Sequence, residues 1–109
     1  MATTFKVLGQ RSPAAATLTD IYAVPISNSA IISTVNICNQ STGICTFRLA
    51  VKPANASIDA RHYIAYDTPI APSDALALTM GMTLAENDVI TVYSNTATTS
   101  FSVFGSEIY

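Results

Sequence analysis

The residues of this chain best suited to chemistry are concentrated in "RHYIAYDTPI", residues 61–70, which holds the single histidine, His62, with Tyr63, Tyr66 and Asp67. A catalytic histidine needs a nucleophile to activate or a carboxylate to orient it. Asp59 lies three residues before His62 and Asp67 five after it, but no G-x-S-x-G elbow or comparable nucleophile motif occurs anywhere. If 61–66 is a strand, His62, Ile64 and Tyr66 share one face and Tyr63, Ala65 and Asp67 the other, so Asp67 points away from His62. The reading that follows is a wall or contact histidine, and no catalytic residue is assigned.

Other chemistries lack their ligands. Zinc takes three or four Cys or His, usually in close pairs; one His and two Cys without a C-x-x-C do not supply them. Glu86-Asn87-Asp88 is the one oxygen-rich candidate for calcium and reads as a turn entering a strand. The seven acids (Asp20, Asp59, Asp67, Asp74, Glu86, Asp88, Glu107) fall mostly at strand ends or turns. Gly9, Gly43, Gly81 and Gly105 are isolated, unlike the clustered glycines of a phosphate loop. No metal and no cofactor is expected.

The aromatics offer an alternative. Tyr63, Tyr66 and Tyr93 are candidate contact residues, either for other subunits or as a platform for a host-surface glycan, although the tyrosines and phenylalanines are spread over many strands.

Composition bounds the rest. The 109 residues make one domain, 1–109, with 50% hydrophobic and only 11% charged residues, against the usual quarter or so. Well over a third of the chain is Ala, Ser and Thr. So little charge on a small domain points to surface that meets other chains. The net charge is −2 and the five basic residues, Lys6, Arg11, Arg48, Lys52 and Arg61, are scattered; nucleic-acid binding leaves clustered Lys and Arg instead. No apolar run approaches a membrane span, and "MATTFKVLGQRSPAAATL" lacks the apolar core of a secretory signal. Synthesis in a cytoplasm is expected, which makes the sequons at Asn39 and Asn55 chance matches.

The elements that must position these residues are strands. In "CTFRLAVK" Cys45, Phe47, Leu49 and Val51 form one apolar face, and in "DALALTMGMTL" Leu76, Leu78, Met80, Met82 and Leu84 form another. Further strands are expected over 4–9, 18–24, 29–39, 61–66, 88–94 and 98–108, separated by turn residues. "NASIDARHY" also has room for one helical turn. Asp67-Thr68-Pro69 is expected to end its strand, because proline cannot donate to a ladder. Eight short strands at this spacing predict an all-β, antiparallel sandwich of jelly-roll type. Segment 1–16, with Pro13 and its alanines, is a candidate extended arm, and the terminal "GSEIY" a second one.

Cys38 and Cys45 flank "NQSTGI", which reads as a hairpin turn. A four-residue loop over 40–43 sets them directly opposite and makes a disulfide sterically conceivable. A register that matches the apolar face of 45–51 to Ile37, Val35 and Ile31 sends them to opposite faces unless a bulge intervenes. Cys45 as a small buried hydrophobe is the better reading.

The stretches "KVLGQRSPAAATLTDIYAVP", "NICNQ…FRLAVKPANA", "HYIAYDTPI", "LTMGMTLAENDVITVYS" and "SFSVFGSEI" together resemble a group of small proteins from tailed bacteriophages, cyanophages included. The likeness runs over almost the whole chain and is one of overall pattern. It implies a non-enzymatic virion structural protein, a compact β-sandwich present in many copies. Its partners would be itself and other virion proteins, and its place tail-associated (neck, baseplate or tail-fibre attachment) or a head decoration or cement. The cysteine pair departs from what the group implies.

Overall fold

The structure is a computed structural model and describes residues 2–109. It is all-β, with eight strands: β1 (Thr3–Arg11), β2 (Thr19–Ala23), β3 (Ser29–Asn39), β4 (Cys45–Lys52), β5 (Tyr63–Ile70), β6 (Ala75–Leu84), β7 (Val89–Ser94) and β8 (Thr99–Ile108). Two short 3₁₀ turns, Pro53–Asn55 and Ala60–His62, separate β4 from β5.

Strand pairing follows one rule. β1 lies on β8, β2 on β7, β3 on β6 and β4 on β5, all antiparallel, as if a long four-stretch ribbon had been doubled back and rolled up. Contacts of β3 with β8 and of β4 with β7 close the roll into two sheets, β1-β8-β3-β6 and β2-β7-β4-β5. This is the jelly-roll arrangement of a β-sandwich.

Alternating side chains fill the space between the sheets. Cys45, Phe47 and Leu49 of β4 are fully buried, and they meet Phe101 and Val103 of β8 and Val35 and Ile37 of β3. Phe47 and Phe101 cross edge to face, 6.2 Å apart, and so join the two sheets at the centre. Each such side chain contributes roughly 1.5–3 kcal/mol through burial. β6 keeps its expected phase, with Leu76, Leu78, Met80 and Met82 half-buried and its odd residues exposed.

β3 changes phase. Its register slips at Ser33, so Ala30 and Ile32 are buried before the bulge and Val35, Ile37 and Asn39 after it. Ile31, expected inside, is therefore outside. Gly105 makes room beside this bulge: a Cβ there would lie 2.1 Å from the Ile31 carbonyl oxygen.

The hairpin expected across "NQSTGI" does not form. β3 and β4 belong to different sheets, and residues 40–44 carry the chain from one to the other. Asn39, fully buried at the end of β3, anchors this crossing. Its Nδ2 donates to the carbonyls of Gly43 (2.9 Å), Ile70 (3.1 Å) and Ala71 (3.1 Å), and its Oδ1 accepts from the Ser41 backbone N–H and hydroxyl. Cys38 and Cys45 are free thiols, on strands of opposite sheets. Cys45 is buried and accepts a hydrogen bond from Thr99 Oγ1, while Cys38 is half-buried.

Of the arm expected over 1–16, Met1 lies outside the described residues, residues 3–11 belong to the sheet, and residues 12–16 are an irregular connection. Thr3–Arg11 is an edge strand paired along β8, and Ala16 donates its N–H to Ser94 O at 2.8 Å. The terminal "GSEIY" is likewise tied in, as the end of β8 with Tyr109 bonded to Ala2. Near that end Glu107, almost buried, accepts from Lys6 Nζ (2.8 Å) on β1 and from Tyr22 Oη (2.6 Å) on β2 in the other sheet. The hydrogen bonds from Lys6 and then Tyr22 hold the Glu107 carboxyl below the usual range, and burial with the adjoining Glu107 carboxylate pushes the Tyr22 phenol up.

Two measurements test these ties. Asn39→Ala removes five hydrogen bonds, three to carbonyls and two from Ser41, and should lower the unfolding free energy by about 3 kcal/mol in a denaturant titration; Cys38→Ala should change it by less than about 1 kcal/mol. Because its folded pKa is depressed, Glu107 contributes stability above the ordinary carboxylate range, and that contribution is lost as pH falls through the folded value. The stability difference between wild type and Glu107→Gln should therefore be largest near neutrality and shrink as the pH is taken below about 4. A difference that is flat with pH would contradict this role.

Candidate functional site

The outer face of the β2-β7-β4-β5 sheet gathers three of the residues singled out by type. β4 alternates so that Arg48 faces outward while Phe47 and Leu49 face the core. Its partner on β7 is Tyr93. On the other side β5 bulges, so that Tyr66 and Asp67 together oppose Arg48 between the pairs Phe47–Thr68 and Leu49–Ala65. Asp67 adopts a left-handed φ of 49° there, a conformation that Asp tolerates better than most residues.

The Arg48 guanidinium is the centre of this cluster. Nε donates to Asp67 Oδ1 at 2.7 Å and Nη2 to Oδ2 at 3.3 Å, a two-pronged pair. Cζ lies 4.1 Å from the Tyr66 ring centroid and 4.3 Å from that of Tyr93, so the cation is sandwiched between two aromatic faces. The Asp67 hydrogen bond raises the Arg48 pKa further above its already high value. Tyr63 then meets Tyr66 at a right angle, with centroids 4.9 Å apart. On the same face Asp20 accepts from Lys52 Nζ (3.1 Å) and Thr91 Oγ1 (2.9 Å); these bonds outweigh its partial burial and lower its pKa.

His62 goes elsewhere. It is the last residue of the second 3₁₀ turn and not a strand residue, and it is 8% exposed. Its Nδ1 accepts the Asp59 backbone N–H at 3.1 Å, and its own N–H donates to Asp59 O. The Asp59 carboxylate reaches back to the Arg61 N–H (2.9 Å) and pairs with Arg61 Nε (3.2 Å), which keeps its pKa low, the backbone N–H being the larger cause. His62 and Asp59 thus form a reciprocal capping box, the histidine standing where Glu or Gln is usual. The single turn foreseen in "NASIDARHY" is this one. β5 begins at Tyr63 and runs on through Pro69 to Ile70, because an edge strand can leave the missing proline donor facing outward.

Between this turn and β5 lies an open cleft of about 550 Å³, lined by Ile58, Asp59, Ala60, Tyr63 and Tyr66. Tyr93 does not line it; Arg48 stands between them. Alternation in "CTFRLAVK" could have marked Arg48 as outward-facing, but its partners 18–45 residues away in sequence carry no local signal.

A second surface was not foreseen at all. On the outside of the other sheet Phe5 (83% exposed), Val7, Ile31 and Phe104 lie together across β1, β8 and β3, with Val7 directly opposite Phe104. With Lys6, Ser33, Gly105 and Ser106 they line a shallow apolar groove of about 610 Å³. The signal was present in the alternation of "TFKVLG", but Ile31 joins this face only because of the Ser33 bulge.

No protein-family model matches the chain, and no curated protein sequence matches it.

The Arg48–Asp67 pair is partly exposed, 22% and 46% at the side chains, so solvent screening limits its worth. A double-mutant cycle with Arg48→Ala and Asp67→Asn should give a coupling on the order of 0.5–1 kcal/mol, smaller again at about 1 M salt. The single Arg48→Ala loss should exceed that of Asp67→Asn, since it also removes the packing of two rings.

Proposed function

We propose that this chain is a non-enzymatic structural protein of a tailed-phage particle, present in many copies, tail-associated, and joined to its own copies through the outer face of the β1-β8-β3-β6 sheet. The observation that carries the reading is the exposed set Phe5, Val7, Ile31 and Phe104 beside the open edge of β1. A small monomeric domain seldom leaves such side chains contiguous and in water.

Two further features support it. The protruding Phe5 and the groove over Gly105 are on the same face, so a twofold contact can seat the ring of each copy in the groove of the other. Little charge is available to keep copies apart, because the net charge is −2 and four of the five basic side chains are already in internal ion pairs. The phage particle itself comes from the resemblance of the sequence pattern. Attachment at neck, baseplate or fibre is the lead within it, and a head decoration is the alternative.

Native mass spectrometry over a range of concentrations tests the assembly. A discrete closed oligomer is expected, and Phe5→Asp should weaken it by at least about 100-fold, the loss of one buried aromatic and the burial of a charge. Circular dichroism should show the β fold retained, since the Phe5 side chain lies outside the core. A wild-type chain that stays monomeric throughout, or a Phe5→Asp variant that assembles equally well, would overturn this surface. Quantitative mass spectrometry of purified virions reads the copy number per particle, and its absence from virions would overturn the particle assignment.

A further inference from the structure

The cleft beside the second 3₁₀ turn has features that the assembly reading does not use. Its lining is apolar at Ile58 and Ala60 and aromatic at Tyr63 and Tyr66, whose rings are perpendicular. One carboxylate, Asp59, stands among them with its side chain about half exposed. These groups are held before any ligand arrives. Tyr66 is fixed against the Arg48 guanidinium, Tyr63 against Tyr66, and Asp59 by the Arg61 N–H and guanidinium. Preorganised aromatic walls lose little entropy on binding.

The walls define a ligand with a flat C–H face and donors at its rim. A cation is disfavoured: Arg48 already lies on the Tyr66 ring and Arg61 on the Asp59 carboxylate, and both would repel it. A phosphate-bearing ligand is disfavoured too, since those two arginines are engaged by Asp67 and Asp59 and Asp59 itself faces the cleft. What remains is a neutral polyol. We propose that this cleft binds a neutral pyranose sugar, its C–H face stacked on the Tyr63–Tyr66 corner and adjacent hydroxyls donating to the Asp59 carboxylate. The volume, about 550 Å³, is within the range of small-molecule sites. Because the cleft belongs to the β2-β7-β4-β5 side, copies joined through the opposite sheet leave it facing outward. The site does not depend on that assembly, and a monomer would carry it equally well.

The test is a titration of the full-length ¹⁵N-labelled chain, followed by amide correlation spectra. The probes are the methyl pyranosides of glucose, galactose, mannose and N-acetylglucosamine, each to about 100 mM because ligands this small bind weakly, with tetramethylammonium and adenosine monophosphate as the rival chemistries. At least one pyranoside should give saturable shifts centred on residues 58–66. Asp59→Asn should weaken binding about tenfold, as a charge-assisted hydrogen bond becomes a neutral one, and Tyr63→Ala should abolish it. Phe5→Asp should bind as the wild type does, because Phe5 is on the outer face of the opposite sheet; each variant's dispersed spectrum reports its fold. Shifts from none of the four sugars, preferential binding of either rival probe, or binding that survives Tyr63→Ala would overturn the proposal. Loss of binding in Phe5→Asp would also overturn it, pointing to a site on the opposite face or between copies in place of the cleft.

Discussion

The buried carboxamide of Asn39 is the interaction on which this fold turns. A polar group at zero exposure is tolerated only when its hydrogen bonds are made, and here both ends are satisfied, the nitrogen by three carbonyls and the oxygen by Ser41. Two of those carbonyls, Ile70 and Ala71, belong to the end of β5 in the other sheet and the turn after it. The bond set therefore fixes where the chain leaves β3 and where β5 must end. With β4 turned into the second sheet, its neighbours are β5 and β7 instead of β3. Only then can Arg48 have Tyr66 and Asp67 on one side and Tyr93 on the other. A chain that closed 40–43 as a hairpin would have kept β4 beside β3 and left those rings apart.

Charge is used sparingly and almost entirely in contacts within the domain. Asp20, Asp59, Asp67 and Glu107 each hold a basic side chain. The other three acids cap turns: Asp74 accepts the Ala75 N–H, Glu86 that of Ser27, and Asp88 those of Ala54 and Ala85. All seven carboxylates are thereby engaged within the domain. The two outer faces diverge as a result. One carries the Arg48–Asp67 and Lys52–Asp20 pairs with their aromatic neighbours, and the other carries Phe5, Val7, Ile31 and Phe104. A low charge content thus separates a polar face from an apolar one without any long charged stretch to mark them.

What could be read from the sequence was whatever depends on neighbours one and two residues away. The period-2 faces of β4 and β6 gave their strands and their buried sides, and turn residues gave the number of strands. Two features were hidden because they depend on distant partners, and a third because its local signal fitted a strand as well as a turn. The Ser33 bulge moved Ile31 out and Ile32 in, and nothing local to 29–39 announces it. The two sides of "NQSTGI" looked like a hairpin because Asn39 acts through carbonyls about thirty residues away. His62 looked like a strand residue, yet it caps a turn through its ring nitrogen. The three tyrosines stood out by type, but Arg48 and Asp67, which bring them together, were visible only as a scattered base and an acid before a proline.

Asp67 explains why the cluster is rigid. The left-handed residues Ala16, Ser27, Ala54, Asn55, Ser73 and Asn87 are in turns or 3₁₀ segments, whereas Asp67 is inside a strand. Left-handed backbone costs about 1 kcal/mol for a residue with a Cβ, and glycine would remove that cost. The chain spends its glycines elsewhere: at Gly9 and Gly105 a Cβ would lie 2.3 and 2.1 Å from a carbonyl oxygen of Ile21 and Ile31. At position 67 a glycine would relax the backbone but leave the Arg48 guanidinium without its carboxylate. The cation would then be free to rotate out from between Tyr66 and Tyr93, and Tyr63 would lose the fixed ring it abuts. The strain at Asp67 is offset by the two-pronged pair it makes possible, and through that pair one backbone torsion fixes the orientation of three rings.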